Sequence, residues 1–242
     1  MAGRGNPEAK VAIVTGGSQG LGFALVEALA RRGWSVVTDA RRADNLDAAL
    51  RAIDEQEGLA IGIAGDVTDA AHREALVRAA SDIGRIDLVV NNASTLGASP
   101  LPQLDAIEPE TLRTVFETNV IAPMALVRGA LDHLAADATI VDITSDAGAE
   151  AYEGWGGYGA SKAALEHAGA VLAVEHPELR VLTVDPGDMR TEMHQQAFPG
   201  EDISDRPDPS ASVPGLLALI EGDAPSGRYE TRNVAVGTVR PS

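Results

Sequence analysis

Short apolar runs alternate with longer amphipathic stretches along this chain. Residues 11–15 (VAIVT) are β-branched, few and closed by glycines, which predicts a buried strand. Residues 21–32 predict a helix, with Leu21, Ala24, Leu25, Ala28 and Leu29 on one face and Gly33 to end it. The alternation continues with a strand at 35–40, a helix at 44–57, a strand at 59–64, a helix capped by Asp69 and running to about Ile83, and a fourth strand at 86–90. A long helix over 110–134 enters through Pro109, and Pro123 predicts a kink in it. Then come a strand at 139–144, a helix at 158–175 stopped by His176-Pro177, and a strand at 179–184. A Pro- and Asp-rich loop at 199–209, a helix over 210–221 and a last strand within 229–236 complete the pattern.

Repeated strand–helix alternation predicts an α/β fold. It is a doubly wound, Rossmann-type parallel sheet of about seven strands, with right-handed crossovers and helices on both faces. With no repeat or linker in view, residues 1–242 read as one domain. Such sheets bind ligands at the carboxyl ends of their strands. The loops after Thr15, Ala40, Ala64, Val90, Thr144 and Val184 therefore converge on one crevice, and residues 188–209 are placed to act as its lid.

Composition narrows the partners. The chain has 242 residues, is 45% hydrophobic, and carries a formal net charge of −17. Its acidic residues are spread rather than blocked, and no basic patch offsets them, so neither nucleic acid nor an anionic membrane is an expected partner. It contains no cysteine, which excludes disulfides, thiolate catalysis and Cys-ligated metals and fits a reducing compartment, here expected to be the cytoplasm. The N-terminus lacks the apolar segment of a secretion signal, and no apolar run reaches the length of a membrane span. Lysine occurs only at Lys10 and Lys162, which draws attention to the second.

The first strand runs into Gly16-Gly17-Ser18-Gln19-Gly20-Leu21-Gly22 and then a helix. Glycines let the backbone approach a pyrophosphate, and the helix N-terminus behind them offers unpaired N–H groups and a favourable dipole. An ordinary glycine-rich turn is the plainer alternative, but the place between first strand and first helix favours the phosphate loop. No Gly-Lys-Ser/Thr follows, which argues against a mononucleotide P-loop. With Thr15 in front, the segment resembles the TGxxxGxG opening of the short-chain dehydrogenase/reductase family. The resemblance extends over the whole chain, with its anchors between Thr15 and Thr191.

It implies a nicotinamide dinucleotide. At the tip of the second strand an acidic residue would bind the adenosine ribose hydroxyls of NAD, and a basic one the 2′-phosphate of NADP. The family's acidic position falls on Ala40, with Arg41 and Arg42 next, which favours NADP(H). A one-residue shift would put Asp39 there and leave NAD(H) open. The resemblance also implies adenine contacts from Asp66 and Val67. Asn92-Ala93-Ser94 would be the cofactor-facing part of the family's NNAG, with Ser94 departing from its glycine. Pro186, Gly187, Met189 and Thr191 match a PG-x-x-x-T segment, in which Thr191 would reach the carboxamide or pyrophosphate.

Tyr158 and Lys162 lie four apart at the start of a helix and so share a face. An ammonium one turn from a phenol stabilises phenolate, so Lys162 is expected to lower the Tyr158 pKa and make it an acid/base near neutral pH. Such a pair alone is weak; its position after the fifth strand gives it weight. In the family, the residue matching Ser145 orients the substrate carbonyl and that matching Asn119 holds a water by its backbone. Lys162 would also bond the nicotinamide ribose.

The expected chemistry is hydride transfer to or from a carbonyl or secondary alcohol, with substrate contacts from residues 95–99, 146–155 and 188–198. A non-catalytic dinucleotide-binding regulator or scaffold is the alternative; a nucleotide-sugar epimerase or dehydratase fits poorly. His72, His133, His167 and His176 read as surface or capping residues, and no metal-ligand spacing is present. Trp155 reads equally as pocket lining and as loop packing. The resemblance pairs the 110–134 and 158–175 helices across a two-fold axis, which implies a homodimer or homotetramer.

Overall fold

A computed structural model describes residues 9–54 and 59–235. The strands are β1 (Val11–Val14), β2 (Ser35–Ala40), β3 (Leu59–Ala64), β4 (Ile86–Asn91), β5 (Leu134–Ile143), β6 (Arg180–Asp185) and β7 (Gly227–Glu230). They form one seven-stranded sheet in the order β3-β2-β1-β4-β5-β6-β7, and every adjacent pair is parallel. The order reverses between β1 and β4, where a doubly wound sheet opens its binding crevice.

Side chains alternate along β1. Ala12 and Val14 pack with α1 (Gly20–Arg31) and α8 (Val213–Glu221). Val11 and Ile13 pack on the other face, with α3 (Ala70–Ser81) and α5 (Ala122–Ala130). Both faces are thus covered, and the strand reads as an unbroken apolar run. The remaining helices are α2 (Ala43–Asp54), α4 (Pro109–Phe116), α6 (Gly156–Glu175) and α7 (Glu192–Ala197). None of the described helices is long and apolar enough to cross a membrane.

The pattern over 110–134 predicts one kinked helix, and the chain departs from it. After α4 comes a π turn over Glu117–Ile121, then α5, a 3-10 turn at Leu131–His133, and β5 from Leu134. Pro123 has no N–H to give the carbonyl of Asn119 four residues back, so an α ladder cannot close there. Instead the N–H of Ala122 bonds Glu117, five residues back. Helix α7 forms where no helix was expected, its first turn capped by Thr191, whose Oγ1 accepts from the N–H of His194 at 3.1 Å. Strand β7 ends at Glu230, earlier than the 229–236 pattern predicts, and residue 236 lies outside the described residues, as does the predicted end of the second helix.

Candidate active site

Every loop at the carboxyl end of the central strands opens onto a single cleft of about 580 Å³. All the residues expected to bind a cofactor line it: Gly16, Ser18, Gln19, Gly20, Leu21, Gly22, Ala40, Arg41, Arg42, Asp66, Val67, Asn92, Ala93, Ser94, Tyr158, Lys162, Pro186, Gly187, Met189 and Thr191. Ser145 and Trp155 line it too, whereas Asn119 lies behind the wall.

The glycine turn is held from beneath. Thr15 Oγ1 accepts from the N–H groups of Asn92 and Ala93, both at 3.0 Å. Asn92 Nδ2 donates to the carbonyls of Thr15 at 2.8 Å and Gly16 at 3.3 Å. Gly22 has no room for a side chain: a Cβ there would sit 2.2 Å from the Gly16 carbonyl oxygen and 2.5 Å from Asn92 Nδ2. The residue before α1, Gln19, gives that helix no side-chain cap, so first-turn N–H groups stay available to an anion.

At the adenosine end the two readings of Asp39 separate. Its carboxylate points inward: Oδ1 accepts from the N–H of Gly16 at 2.7 Å and Oδ2 meets His72 Nε2 at 2.9 Å. His72, expected on the surface, is buried against the sheet. Arg41 is exposed beside the cleft, and Arg42 is paired with Asp44 at 2.8 Å. Asp66 Oδ1 closes a turn onto Thr68, accepting from its N–H at 2.9 Å, and Asp69 caps α3.

At the other end lies the Tyr158 phenol, 8% exposed, in edge-to-face contact with Trp155 at 5.7 Å between ring centroids. Trp155 in turn meets Phe198 of segment 188–209, so it both lines the cleft and packs a loop. Burial holds the phenol well above its ordinary pKa; the Asp185 and Asp146 carboxylates push the same way, and a hydrogen bond with Ser94 opposes them. The expectation that Lys162 lowers it is therefore corrected. Lys162 is 2% exposed, and its Nζ donates to the Ile143 carbonyl at 2.8 Å while standing 5.4 Å from the Tyr158 ring centroid. Burial pushes the ammonium down to about 8, against the attraction of Asp142 and Glu166.

Ser145 caps a 3-10 turn at Asp146–Gly148, donating to Asp146 Oδ1 at 2.8 Å and accepting from the Ala147 N–H at 3.2 Å. Helix α6 packs directly onto that turn, since a Cβ on Gly159 would lie 2.4 Å from the Ala147 carbonyl oxygen. Asn119, on the π turn, is fully engaged. Its Oδ1 accepts from Thr95 N–H at 2.8 Å and Ser94 Oγ at 3.1 Å, and its Nδ2 donates to Thr95 O at 2.9 Å and Ser161 Oγ at 3.0 Å. The side chain thereby ties the loop after β4 to α6.

Two groups escaped the sequence reading. Arg228, on β7, reaches Glu166 at 3.3 Å, Glu230 at 3.5 Å and Asp185 at 3.6 Å. Its strand lies far along the chain, so only the sheet order reveals it. Glu166 stands one turn beyond Lys162, a spacing that could have been noticed. Segment 188–209 is attached by polar contacts, Gln19 Nε2 to Glu192 at 3.0 Å and Ser99 Oγ to the Gln196 carbonyl at 2.7 Å, and by Met193, Ala197 and Phe198, which pack against the Tyr158 cluster and Trp155.

Beneath the site Asp142 is fully buried, and burial pushes it up to about 6 against the hydrogen bond from Asn91 Nδ2 at 2.7 Å and the charge of Lys162. Folded Asp142 keeps its proton to about pH 6, whereas the unfolded chain releases it near the ordinary aspartate value of 3.8, so stability falls as pH rises between these values and the cost persists above them. Asp142→Asn is expected to remove that slope and raise stability at pH 7 by about 1–2 kcal/mol; that is less than the roughly 3 kcal/mol of two pH units, because Lys162 loses an attractive partner. Chemical denaturation at pH 4, 6 and 8 checks it; an unchanged slope would refute it.

The model of the family described as short chain dehydrogenase matches residues 10–202. An uncharacterised oxidoreductase of Methylorubrum extorquens is 32% identical, over 96% of this chain and 98% of its own. A tropinone reductase-like protein of Erythroxylum coca is 33% identical over 81% of this chain and 76% of its own. Among solved structures, a short chain dehydrogenase from Escherichia coli CFT073 complexed with NADPH superposes with a TM-score of 0.84 at 29% identity, covering 92% of this chain and 96% of that one. An alcohol dehydrogenase from Thermococcus sibiricus complexed with 5-hydroxy-NADP gives 0.82 at 25%, with the same coverages. The chain belongs to the short-chain dehydrogenase family and is an oxidoreductase of that kind.

Proposed function

We propose that the protein transfers hydride between NADP(H) and a small carbonyl compound or the corresponding secondary alcohol, in the cytoplasm. The observation that carries this reading is the single cleft that joins an uncapped helix N-terminus and glycine turn at one end to a buried phenol at the other. The cradle fits a dinucleotide: Gly22 leaves backbone where a Cβ would intrude, and Gly20, Leu21 and Gly22 open the first turn of α1. Gly16, Ser18, Gln19 and Thr191 would flank the pyrophosphate, with Pro186, Gly187 and Met189 beside the nicotinamide. Asp66 and Val67 would border the adenine, and Ala40, Arg41 and Arg42 the ribose phosphate. The bound cofactor supplies the hydride.

The residues of the chain supply the rest. Ser145 Oγ turns from Asp146 to the substrate oxygen and orients the carbonyl. Tyr158, kept protonated by its surroundings at neutral pH, gives its proton to the forming alkoxide, which suits reduction. Lys162 places a positive charge beside the ring and holds the α6 wall to β5 through Ile143. Asn119 fixes the loop carrying Ser94 against α6, and the carbonyl that Pro123 leaves without an α-helical partner is available to a solvent molecule. Two solved relatives hold NADPH and 5-hydroxy-NADP, which supports the phosphorylated cofactor.

Fluorescence titration tests the cofactor. NADPH is expected to bind more tightly than NADH, and Arg41→Ala to weaken NADPH about tenfold, one charge-assisted bond, without touching NADH. Tighter NADH binding, or no effect of Arg41→Ala, would overturn the assignment. Ile121 and Met124 around α5 and Val171 and Val174 on α6 are exposed, Val174 by 81%. A homodimer or homotetramer packed through these helices would cover them.

A further inference from the structure

We infer that His72, a residue that does not line the cleft, sets cofactor specificity by fixing the carboxylate of Asp39, which borders the cleft, in a buried position. The inference rests on the dinucleotide reading above. Asp39 is the penultimate residue of β2 and takes two successive N–H groups of the glycine turn: Gly16 on its Oδ1 at 2.7 Å and Gly17 on its backbone carbonyl at 2.9 Å. That leaves Oδ2, which meets His72 Nε2 at 2.9 Å, with side chains only 1% and 6% exposed. A carboxyl oxygen buried in such a place needs a hydrogen-bond partner, because a buried polar group left unpaired costs more than an ordinary hydrogen bond returns.

His72 comes from α3, on the same buried face as Leu76 and Val77, and reaches the carboxylate from the face of the sheet that α3 covers. Without that donor the stable course for Asp39 is to turn its carboxylate to water at the cleft mouth. Two consequences follow. Gly16 loses its acceptor, which loosens the phosphate turn. A negative charge also arrives beside Arg41, where it repels a 2′-phosphate and accepts from a ribose diol. His72 therefore acts at one remove, as a positioning residue that favours NADP over NAD.

The test compares two amide substitutions of similar polarity. The amide nitrogen of glutamine falls where Nε2 of the imidazole stands, and that of asparagine falls at Nδ1, short of Asp39. NADPH and NADH dissociation constants are measured by fluorescence on wild type, His72→Gln and His72→Asn, with melting temperatures taken without ligand. His72→Gln is expected to stay within about twofold of wild type for both cofactors. His72→Asn is expected to weaken NADPH about tenfold and NADH less, so that the preference moves toward NADH. Equal behaviour of the two variants, or a parallel loss for both cofactors that follows the melting temperature, would overturn the inference and leave His72 a packing residue. Wild-type protein that binds neither cofactor would instead bring down the dinucleotide reading and this inference with it, whereas normal wild-type binding with an unaltered His72→Asn removes the inference alone.

Discussion

Tyr158→Phe is expected to lower turnover by about 10³-fold, within the range of a general acid, while NADPH binds within about twofold of wild type. The substitution removes one oxygen and leaves the ring. The edge contact with Trp155, 5.7 Å between centroids, and the Lys162 ammonium 5.4 Å from the Tyr158 ring both persist. Ser94 keeps its bond to Asn119, so no buried donor is stranded. What disappears is the proton that the forming alkoxide must take, in a position screened from bulk water. Steady-state kinetics on any accepted carbonyl, beside a fluorescence titration, separates the two effects. A variant retaining more than a tenth of its turnover would show that another group delivers the proton.

Gly22→Ala should act in the opposite sense, on binding rather than on chemistry. The new methyl group would stand 2.2 Å from the Gly16 carbonyl oxygen and 2.5 Å from Asn92 Nδ2. Neither can swing away cheaply. One is backbone at the heart of the turn, and the other is fixed by its bond to the Thr15 carbonyl at 2.8 Å. The turn must open, and the Gly16 N–H then leaves Asp39. Overpacking of this kind costs about 1–3 kcal/mol of stability. Displacing the N–H groups by an ångström is expected to weaken NADPH about 100-fold. Calorimetric melting and titration measure both; wild-type affinity in a folded Gly22→Ala protein would mean that the turn does not carry the pyrophosphate.

The sheet was legible in the sequence because parallel strands are buried on both faces. Residues such as Val11 to Val14 announce themselves as apolar runs, and the connections between them leave little topological choice. The crevice followed from the same fact, since topology alone sends those loops to one side. Orientation was not legible. Spacing of four puts Lys162 near Tyr158, yet the long side chain reaches past the phenol to the Ile143 carbonyl, and burial rather than charge decides the direction of the tyrosine shift. Pro123 foretold a disturbance but not a π turn, because the bond that replaces the lost one depends on what packs beside it. His72 did leave a signal: it stands four residues before Leu76 and eight before Ala80, on the buried stripe of its helix. Polarity was read there in place of periodicity. Arg228 left none, since its partners are gathered by the pairing of β6 with β7.

The close approach of Gly159 to the Ala147 carbonyl has a bearing on redesign. One wall of the cleft, formed by α6 and the Ser145 turn, is keyed together by a missing methyl group and has no slack for adaptation. The facing wall, residues 188–209, is a loop-rich segment that packs only a few side chains, Met193, Ala197 and Phe198, against the site and is otherwise tied by exposed polar contacts, so its remaining positions tolerate exchange. Laboratory evolution toward new ketones should therefore find its gains in that segment, where side chains can be traded without moving the proton donor, and should meet sterile ground along the first turns of α6.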